Sequence, residues 1–353
     1  MIFFFPAILS FLLTAISIPP TIKFAKKFNL VDNPKLRPHP AHIQKRIVPR
    51  AAGLACYLGI VLSILIFVPI SLQLIGIITA LLILLVIGLL DDRYQNISPY
   101  FRLIIQFTAA LIVVLTGIGI EFITNPLGGI IQLNQPFIFS LTFGDTLALV
   151  WIVWVMNMIN WSKGVDGQMP TIAFAASIIL GLLSVKLYLE GDLIQQNVAI
   201  LSFITTGASF ALLLFNWYPA KIFPGFSGST ILGFMIAILA ILSGAKLATA
   251  GLVLLIPATD FAYTFIRRII QGKSPVWGDR GHLHHKLLEM GLSHQSISLF
   301  YFLGSVILGA IALNLSSSGK LFAAILVAII LLGAILWLNF FGGSLKQPDP
   351  DSG

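Results

Sequence analysis

The sequence predicts an all-α protein that crosses a membrane many times. Of its 353 residues, 58% are hydrophobic and only 10% are charged, and the mean hydropathy is +0.98. A soluble domain cannot bury that much apolar surface, whereas a bundle of membrane helices exposes it to lipid. The apolar residues also come in separate runs, each close to the length of about 20 residues that spans a bilayer.

Eleven such runs are predicted as transmembrane helices. They cover residues 2–21, 52–69, 72–90, 102–120, 145–160, 170–188, 196–215, 229–244, 247–266, 297–315 and 321–341. Gly and Pro interrupt the stretch 121–144, so a short hairpin at the membrane surface is expected there. Residues 1–341 are predicted to form a single integral-membrane domain, followed by a disordered polar tail over 342–353.

The basic residues predict the orientation of these helices. With the N-terminus outside and the C-terminus inside, 18 of the 21 Lys and Arg residues fall on the cytoplasmic side. Cytoplasmic loops of membrane proteins carry such an excess of positive charge. The net charge of +8 is then concentrated on one face, where it could also attract anionic lipid head groups or nucleotides.

Two adjacent carboxylates, Asp91 and Asp92, lie at the inner end of the third predicted helix, and Gln106 is expected to face them from the fourth. Adjacent carboxylates beside hydrocarbon repel each other unless a cation or a proton lies between them. One interpretation is an ordinary helix end at which Arg93 pairs with one acid. The other is a Mg²⁺ site that also contains a base.

A second polar cluster follows the fifth predicted helix. Asn157 and Asn160 are three residues apart, so they share one helix face, and a turn containing Asp166 comes after them. Such amides beside a turn acid are suited to a base edge or to sugar hydroxyls. An ordinary helix end with a polar turn is the alternative.

A third cluster is the segment FPGFSGST, which begins at Phe223 and runs into the eighth predicted helix. Free N–H groups at the start of a helix bind anions, so the Gly and Ser residues predict a phosphate site. However, the segment has no carboxylate with which to hold a divalent cation. The alternative is a flexible turn with a Ser residue that caps the helix.

The fourth cluster follows Asp260, near the inner end of the ninth predicted helix, and combines cations with imidazoles. It contains Arg267, Arg268, Lys273, Asp279, Arg280, His282, His284 and His285. The HxHH spacing lacks the two-His spacing of a helical zinc site, and no Cys is near. Arg and His together are better suited to a diphosphate or to the charge that develops during phosphoryl transfer.

All four clusters are predicted to lie on the cytoplasmic face. Together they offer acids, amides, cations and imidazoles, which are the groups needed to move a phosphoryl group at a membrane surface.

In these ordered motifs the sequence resembles the polyprenyl-phosphate N-acetylhexosamine-1-phosphate transferases of glycosyl transferase family 4. This superfamily includes the phospho-MurNAc-pentapeptide transferase, but the HLHHKLL motif is more similar to the UDP-GlcNAc-type branch. Members move a sugar 1-phosphate from a UDP-sugar to a polyprenyl phosphate, such as undecaprenyl phosphate, and release UMP. The resemblance implies a multi-pass plasma-membrane enzyme that initiates a cell-envelope glycan, with its active site on the cytoplasmic face.

The resemblance also implies site residues, a cofactor and partners. Asp91, Asp92 and Asp166 are expected to be catalytic, and Asp91 and Asp92 to bind Mg²⁺, with Mn²⁺ as an alternative. Residues implied to bind substrate are Asn157, Asn160, Lys163, Asn216, Lys221, Gly225, Ser227, Gly228, His282, His284 and His285. The partners are the membrane lipid and a UDP-N-acetylhexosamine; no nucleic acid is expected, and a homodimer is left open.

Two departures from the family pattern bear on activity. Lys163 stands where the family has an acid, and Phe226 stands where it has a metal-binding Asp. In the first cytoplasmic loop, His39 and His42 both compete for a single family histidine, and Ala52 replaces a Gly. Three hypotheses follow: an active transferase, a degenerate homologue that binds lipid or nucleotide without catalysis, and, less favoured, a transporter or flippase.

Overall fold

The protein is described here by a computed structural model that covers residues 3–33, 46–125, 128–138, 141–244, 247–274 and 281–341. His39, His42, Asp279, Arg280 and the predicted tail over 342–353 lie outside these ranges.

Helices make up most of the described residues. Their bounds are α1 Phe4–Lys27, α2 Ala52–Phe67, α3 Leu72–Tyr94, α4 Pro99–Leu115, α5 Phe143–Trp161, α6 Gln168–Leu189, α7 Gln195–Asn216, α8 Gly225–Leu242, α9 Leu247–Val253, α10 Leu255–Ile270, α11 Leu283–Glu289, α12 His294–Asn314 and α13 Ser317–Phe341.

The all-α polytopic class is confirmed, and each of the eleven predicted segments is helical. Among the described residues, eight helices are long and apolar enough to cross a membrane, or nine if α9 and α10 form one broken span. Helices α2 and α4 are shorter, with 16 and 17 residues. The number of spans and their orientation therefore stay predictions.

The ninth predicted segment, 247–266, is not one continuous helix. It is divided between α9 and α10, whose axes differ by 82°. Pro257 lies in the first turn of α10, where its missing N–H is tolerated, but it could not donate within an uninterrupted helix. The bend gives α10 its own direction, and this helix carries Asp260.

Three small antiparallel pairs of strands complete the described structure. They are β1 Val31–Asp32 with β2 Val48–Pro49, β3 Phe122–Thr124 with β4 Ile130–Gln132, and β5 Pro136–Ile138 with β6 Leu141–Thr142. The prediction of a hairpin over 121–144 is confirmed in kind, although the segment forms two short hairpins rather than one.

Helix α8 lies at the centre of the helix bundle. Its most apolar stretch is 94% buried, whereas that of α13 is 6% buried. It packs against α2, α3 and α5. Helix α8 begins at Gly225, whereas the sequence predicted a helix that begins only at residue 229. The segment FSGS is therefore part of the first turns of this central helix, and the prediction that it lies in a loop is wrong.

The close packing of α7 on α1 gives a prediction about stability. A Cβ atom added at Gly207 of α7 would lie 2.1 Å from the backbone oxygen of Ala7, and backbone atoms cannot easily move away. We expect Gly207→Ala to lower the free energy of unfolding by about 1–3 kcal/mol, the usual effect of overpacking. Thermal unfolding in detergent, followed by tryptophan fluorescence, would measure the loss.

Gly333→Ala is the matched control, because nothing lies within 4 Å of a Cβ atom at that position of α13. Equal unfolding temperatures for the two variants would contradict the described contact between α1 and α7.

Candidate active site

The polar clusters predicted from the sequence meet where several helices begin or end. The end of α3, the turn after α5, the start of α8 and the segment that begins α11 all contribute side chains. This convergence is required of a site, because residues distant in sequence must act on one group.

Asp92 is bound to the beginning of α8. Its Oδ1 accepts a hydrogen bond of 2.7 Å from the Phe226 N–H, and its Oδ2 accepts from the Ser227 N–H (3.2 Å) and hydroxyl (2.6 Å). The first N–H groups of a helix have no partner within it, and a carboxylate stabilises them and the positive end of the helix dipole. Asp92 is fully buried and therefore serves as an N-terminal cap supplied by another helix.

Gly225 makes this close approach possible. It has a φ of +66°, and a Cβ atom there would lie 2.3 Å from Asp92 Oδ2. Only glycine meets both demands easily, since it tolerates positive φ and leaves room for the carboxylate. The close approach of Asp92 therefore favours glycine as the first residue of α8.

Asp91 is paired with a cation from the next helix. Its Oδ1 lies 2.7 Å from Nη2 of Arg102, although the two groups are poorly aligned for a hydrogen bond. The Arg102 guanidinium also lies over the ring of Phe226, 5.3 Å from its centre, which is a cation–π contact. Arg93, the partner in one of the two interpretations of this acid pair, instead lies over the ring of Tyr94.

Arg50 adds a second cation on the other side of the pair. Its Nε lies 3.7 Å from Asp92 Oδ1 and its Nη1 lies 4.0 Å from Asp32 Oδ1. The backbone N–H of Arg50 donates to Leu30 O, and this hydrogen bond holds Arg50 close to the end of α1. The sequence analysis used Arg50 and Arg102 only among the basic residues that predict how the helices are oriented in the membrane.

Lys163 lies between the second and third clusters. Its Nζ donates to Asn160 Oδ1 at 2.6 Å and to Gly225 O at 3.1 Å. Asn160 Oδ1 also accepts from the Ser229 hydroxyl at 2.8 Å. Burial lowers the pKa of Lys163 to about 7, and the positive charge of Arg50 contributes to the shift, against the opposing effect of Asp92 and Asp91.

Asn157 and Asn160 face one cavity, as their spacing predicts. Asn157 donates to Gln106 Oε1 at 2.7 Å, so among the described residues Gln106 is bonded to this amide and not to Asp91 or Asp92, which it was expected to face. The cavity has a volume of about 490 Å³ between α4, α5 and α10. Its walls are mostly apolar and aromatic, and its polar residues are Arg102, Asn157 and Asn160.

Asp166 and Asn216 brace the turn that follows α5. Asn216 accepts from the Gly167 N–H at 2.9 Å and donates to Ile222 O at 2.9 Å, so both ends of its buried amide are bonded within the protein. Asp166 Oδ2 accepts from the Ala220 N–H at 2.9 Å and lies 3.2 Å from Nη2 of Arg46. These contacts position the turn; the predicted catalytic and binding roles stay predictions.

The three histidines form a stack beside this turn. His282 and His284 are parallel with ring centres 5.4 Å apart, and His284 and His285 follow at 4.3 Å. Asp260 of α10 orients the first of them, because its Oδ2 lies 3.1 Å from His282 Nδ1 and its Oδ1 accepts from the Leu283 N–H. The sequence indicates only that Asp260 lies near the end of a helix, because its partner His282 is 22 residues away along the chain.

His284 is the most enclosed of the three. Burial lowers its pKa well below the usual range, and the neighbouring His285 and His282 lower the pKa further, so the imidazole is neutral at neutral pH. Its Nδ1 has no hydrogen-bond partner among the described residues. A Cβ atom on Gly164 would lie 2.0 Å from His284 Nε2, so the histidines contact the turn that carries Lys163.

The remaining residues predicted to bind substrate have other contacts in this structure. The N–H of Ser227 donates to Asp92 and that of Gly228 donates to Pro224 O, so these groups are already bonded. Lys221 is exposed, and its ammonium lies 5.9 Å from the centre of the Phe215 ring. The arrangement therefore does not favour a phosphate bound directly by these N–H groups.

The predicted magnesium site can be compared with these contacts. Mg²⁺ is held by oxygen ligands in near-octahedral geometry. Among the described residues, no three His, Cys, Asp or Glu side chains come together as metal ligands. Both oxygens of Asp92 are bonded to α8, Asp91 faces Arg102, and position 226 offers a phenyl ring. A divalent cation on these acids would therefore have to displace α8 from Asp92 or Arg102 from Asp91.

The cap on α8 gives a second prediction about stability. In Asp92→Asn, an amide NH₂ replaces one of the two accepting oxygens, so at least one buried donor of α8 loses its partner. We expect the free energy of unfolding to fall by about 1–3 kcal/mol. Thermal unfolding in detergent would show a lower midpoint.

Asp192→Asn is the control, because Asp192 is exposed and accepts one backbone N–H, from Ile194, which an Asn oxygen can also accept. If Asp92→Asn unfolded at the same temperature as this control, the cap would contribute nothing to stability.

Comparisons with known proteins identify the family. Residues 74–244 match the family model described as Glycosyl transferase family 4. The chain is 31% identical to the "Probable undecaprenyl-phosphate N-acetylglucosaminyl 1-phosphate transferase" of Bacillus subtilis (strain 168), over 94% of this chain and 85% of that protein.

Two further relatives have similar names. The chain is 29% identical to the "Decaprenyl-phosphate N-acetylglucosaminephosphotransferase" of Mycolicibacterium smegmatis, over 87% of this chain and 80% of the relative. It is 28% identical to the "Undecaprenyl-phosphate alpha-N-acetylglucosaminyl 1-phosphate transferase" of Escherichia coli (strain K12), over 82% and 77%. The similarity extends through nearly the whole chain and includes the segments that form the site, and the chain belongs to glycosyl transferase family 4.

Proposed function

We propose that the protein transfers N-acetylhexosamine 1-phosphate from a UDP-sugar to a polyprenyl phosphate in the membrane and releases UMP. The named relatives act on undecaprenyl or decaprenyl phosphate, and N-acetylglucosamine is the sugar in each name. One observation supports the proposal most strongly. Arg102 and Asn160 line a mostly apolar cavity, so one site offers both an environment for a lipid chain and donors for a phosphate.

The cavity is suited to the first part of the lipid. Aromatic and aliphatic side chains of α4, α5 and α10 form its walls, including Phe107, Trp154, Phe261 and Phe265. Burial of a polyprenyl chain there removes apolar surface from water, while the head group stays near Arg102. The bend between α9 and α10 gives α10 the direction from which it lines this cavity.

The reaction is a displacement at phosphorus. An oxygen of the lipid phosphate forms a bond to the sugar-proximal phosphorus of the UDP-sugar. The bond from that phosphorus to the oxygen shared with the other phosphate breaks, and UMP leaves with its electron pair. The second pKa of a phosphate monoester is about 6, so the lipid head is largely dianionic at neutral pH and needs no strong base.

The protein side chains then position the phosphates and stabilise negative charge. Lys163 and Arg102 are proposed to face the negative charge of the transition state; Arg102, Asn157 and Asn160 line the cavity, and Lys163 is bonded to Asn160. Asp91 and Asp92 support this arrangement by holding Arg102 and the start of α8. Asp166 and the three histidines are proposed to line the part of the site that receives the nucleotide diphosphate.

The proposed location is the cytoplasmic face of the plasma membrane. The described cations of the site, Arg50, Arg102 and Lys163, belong to loops or helix ends that the charge distribution places inside. A cytoplasmic site would have direct access to UDP-sugars, and its product would initiate a cell-envelope glycan.

The test is UMP release by the purified protein in detergent with undecaprenyl phosphate and a panel of UDP-N-acetylhexosamines. We expect release with UDP-GlcNAc, and a loss of about 10²–10³-fold in kcat/KM for Asn160→Ala, because that amide orders Lys163 and Ser229. Asn314→Ala is the matched control, since that exposed amide bonds only its own helix among the described residues. No UMP release with any donor would favour a homologue that binds without catalysis.

The pH dependence of kcat/KM provides a further prediction. With a pKa of about 7, Lys163 loses its positive charge as the pH rises from 6 to 9, and a neutral amine binds an anionic phosphate less well. The charges acting on it are those of Arg50, Arg102, Asp91 and Asp92, and His284 beside it is neutral. We therefore expect kcat/KM for the UDP-sugar to fall as the pH rises through about 7.

Lys163→Arg keeps its charge at every pH used, since the guanidinium pKa is above about 12. The fall above neutral pH should disappear from its profile, whatever its absolute rate. The same fall in both profiles would show that another group titrates.

A further inference from the structure

The two departures from the family pattern are neighbours in space. Lys163 and Phe226 belong to different helix ends, 63 positions apart in the chain. Nevertheless, Lys163 Nζ donates to the carbonyl oxygen of Gly225, the residue that immediately precedes Phe226. The position at which the family has a metal-binding acid, Phe226, and the added cation, Lys163, therefore lie next to each other in the site.

The Lys163 ammonium is held firmly and has a hydrogen to offer. Two of its three N–H donors go to Asn160 Oδ1 and Gly225 O, and Ser229 fixes Asn160 from the other side. The third donor has no partner among the described residues. Such an ammonium can bind a phosphate oxygen as a point charge, as lysines in many phosphate sites do.

The acids of the site are already neutralised without a metal. Asp92 is bonded to the N–H groups of α8 and lies beside Arg50, and Asp91 lies beside Arg102. A divalent cation on these acids would have to remove the cap from a buried helix and displace a guanidinium. It would also gain no ligand from Phe226, whose ring stacks under Arg102.

Burial and two nearby cations destabilise the charged form of Lys163. The cations are Arg50 and Arg102, whose own partners are the carboxylates of Asp32, Asp91 and Asp92. Burial, first, and these positive charges lower the pKa of Lys163, and the negative charge of an incoming diphosphate would oppose both effects. An anion bound here therefore stabilises the same ammonium that holds it.

Resting on the transferase function proposed above, we propose that Lys163, together with Arg102, supplies the positive charge on the transferring diphosphate, so that this chain catalyses the transfer without a divalent cation. The bonds that form and break are those of the displacement already described. Lys163 keeps its proton throughout and donates a hydrogen bond to a non-bridging oxygen of the sugar-proximal phosphate. Arg102 holds the attacking lipid phosphate at the mouth of the cavity.

The first experiment compares UMP release by the metal-stripped protein in excess EDTA with release in Mg²⁺. Equal rates support the inference. A rate that depends on Mg²⁺ and disappears in EDTA overturns it while leaving the transferase function intact. No release in either condition overturns the transferase function and this inference with it.

A second readout does not depend on turnover. Binding of UDP-GlcNAc in EDTA, measured by isothermal titration calorimetry, should weaken about 10–100-fold in Lys163→Gln, the loss expected when a hydrogen bond to a charged group is removed. Lys186→Gln is the control, because Lys186 donates to Leu313 O on the opposite side of the bundle. Equal affinity in the two variants would contradict a role for Lys163.

A double variant tests whether Lys163 and Phe226 together determine the need for a divalent cation. Lys163→Asp combined with Phe226→Asp places acids at both departures and removes the competing cation. We expect this variant to release UMP only in the presence of Mg²⁺. Release by the double variant in EDTA at the wild-type rate would show that neither position determines the need for a cation.

Discussion

The arrangement of the site depends on one interaction, the capping of α8 by the buried carboxylate of Asp92. Helix α8 is the central helix of the bundle, and its first N–H groups point into the protein rather than into water. A buried helix start without acceptors is strongly unfavourable. Asp92 satisfies these donors from α3, and in doing so it fixes the position of α3 relative to α8.

This cap determines how charge is distributed nearby. Because Asp92 is occupied by α8, the acid available beside it is Asp91, and that acid is matched by Arg102. The cations Arg50 and Lys163 lie in the same place, which is the proposed site of the diphosphate. Phe226 is compatible with this balance, since its ring provides a surface for Arg102 and adds no negative charge. The site is thus organised to attract anions through side-chain cations.

Local patterns in the sequence predicted the parts of the structure that depend on local interactions. The three-residue spacing of Asn157 and Asn160 placed both on one helix face, and both line the cavity. Each of the eleven apolar runs contains a helix, although the ninth is divided between α9 and α10, because the length and composition of a run are visible in the sequence itself. The hydrogen bond between Gln106 and Asn157 was not predicted, since these residues lie on helices separated by the long segment between Leu115 and Phe143.

Contacts between distant residues could not be predicted in this way. The sequence predicted a loop at the start of α8. The segment contains no acid of its own, and its capping residue, Asp92, is 134 positions away from Phe226. Arg93 was the nearest cation in sequence to the acids, but Arg102 reaches Asp91 across the turn between α3 and α4. Asp260 orients His282 only because α9 and α10 meet at a sharp bend, and an apolar run does not reveal its direction.

The arrangement of the site requires that Asp92 be bound to α8 rather than to a cation, and an experimental structure with Mn²⁺ tests this most directly. Crystals of the protein grown with UDP-GlcNAc and soaked in Mn²⁺ would be measured at a wavelength where manganese scatters anomalously. We expect Asp92 within hydrogen-bond distance of the Phe226 and Ser227 N–H groups, with no anomalous peak beside Asp91 or Asp92. A manganese peak between the two acids, with Asp92 turned away from α8, would contradict this arrangement.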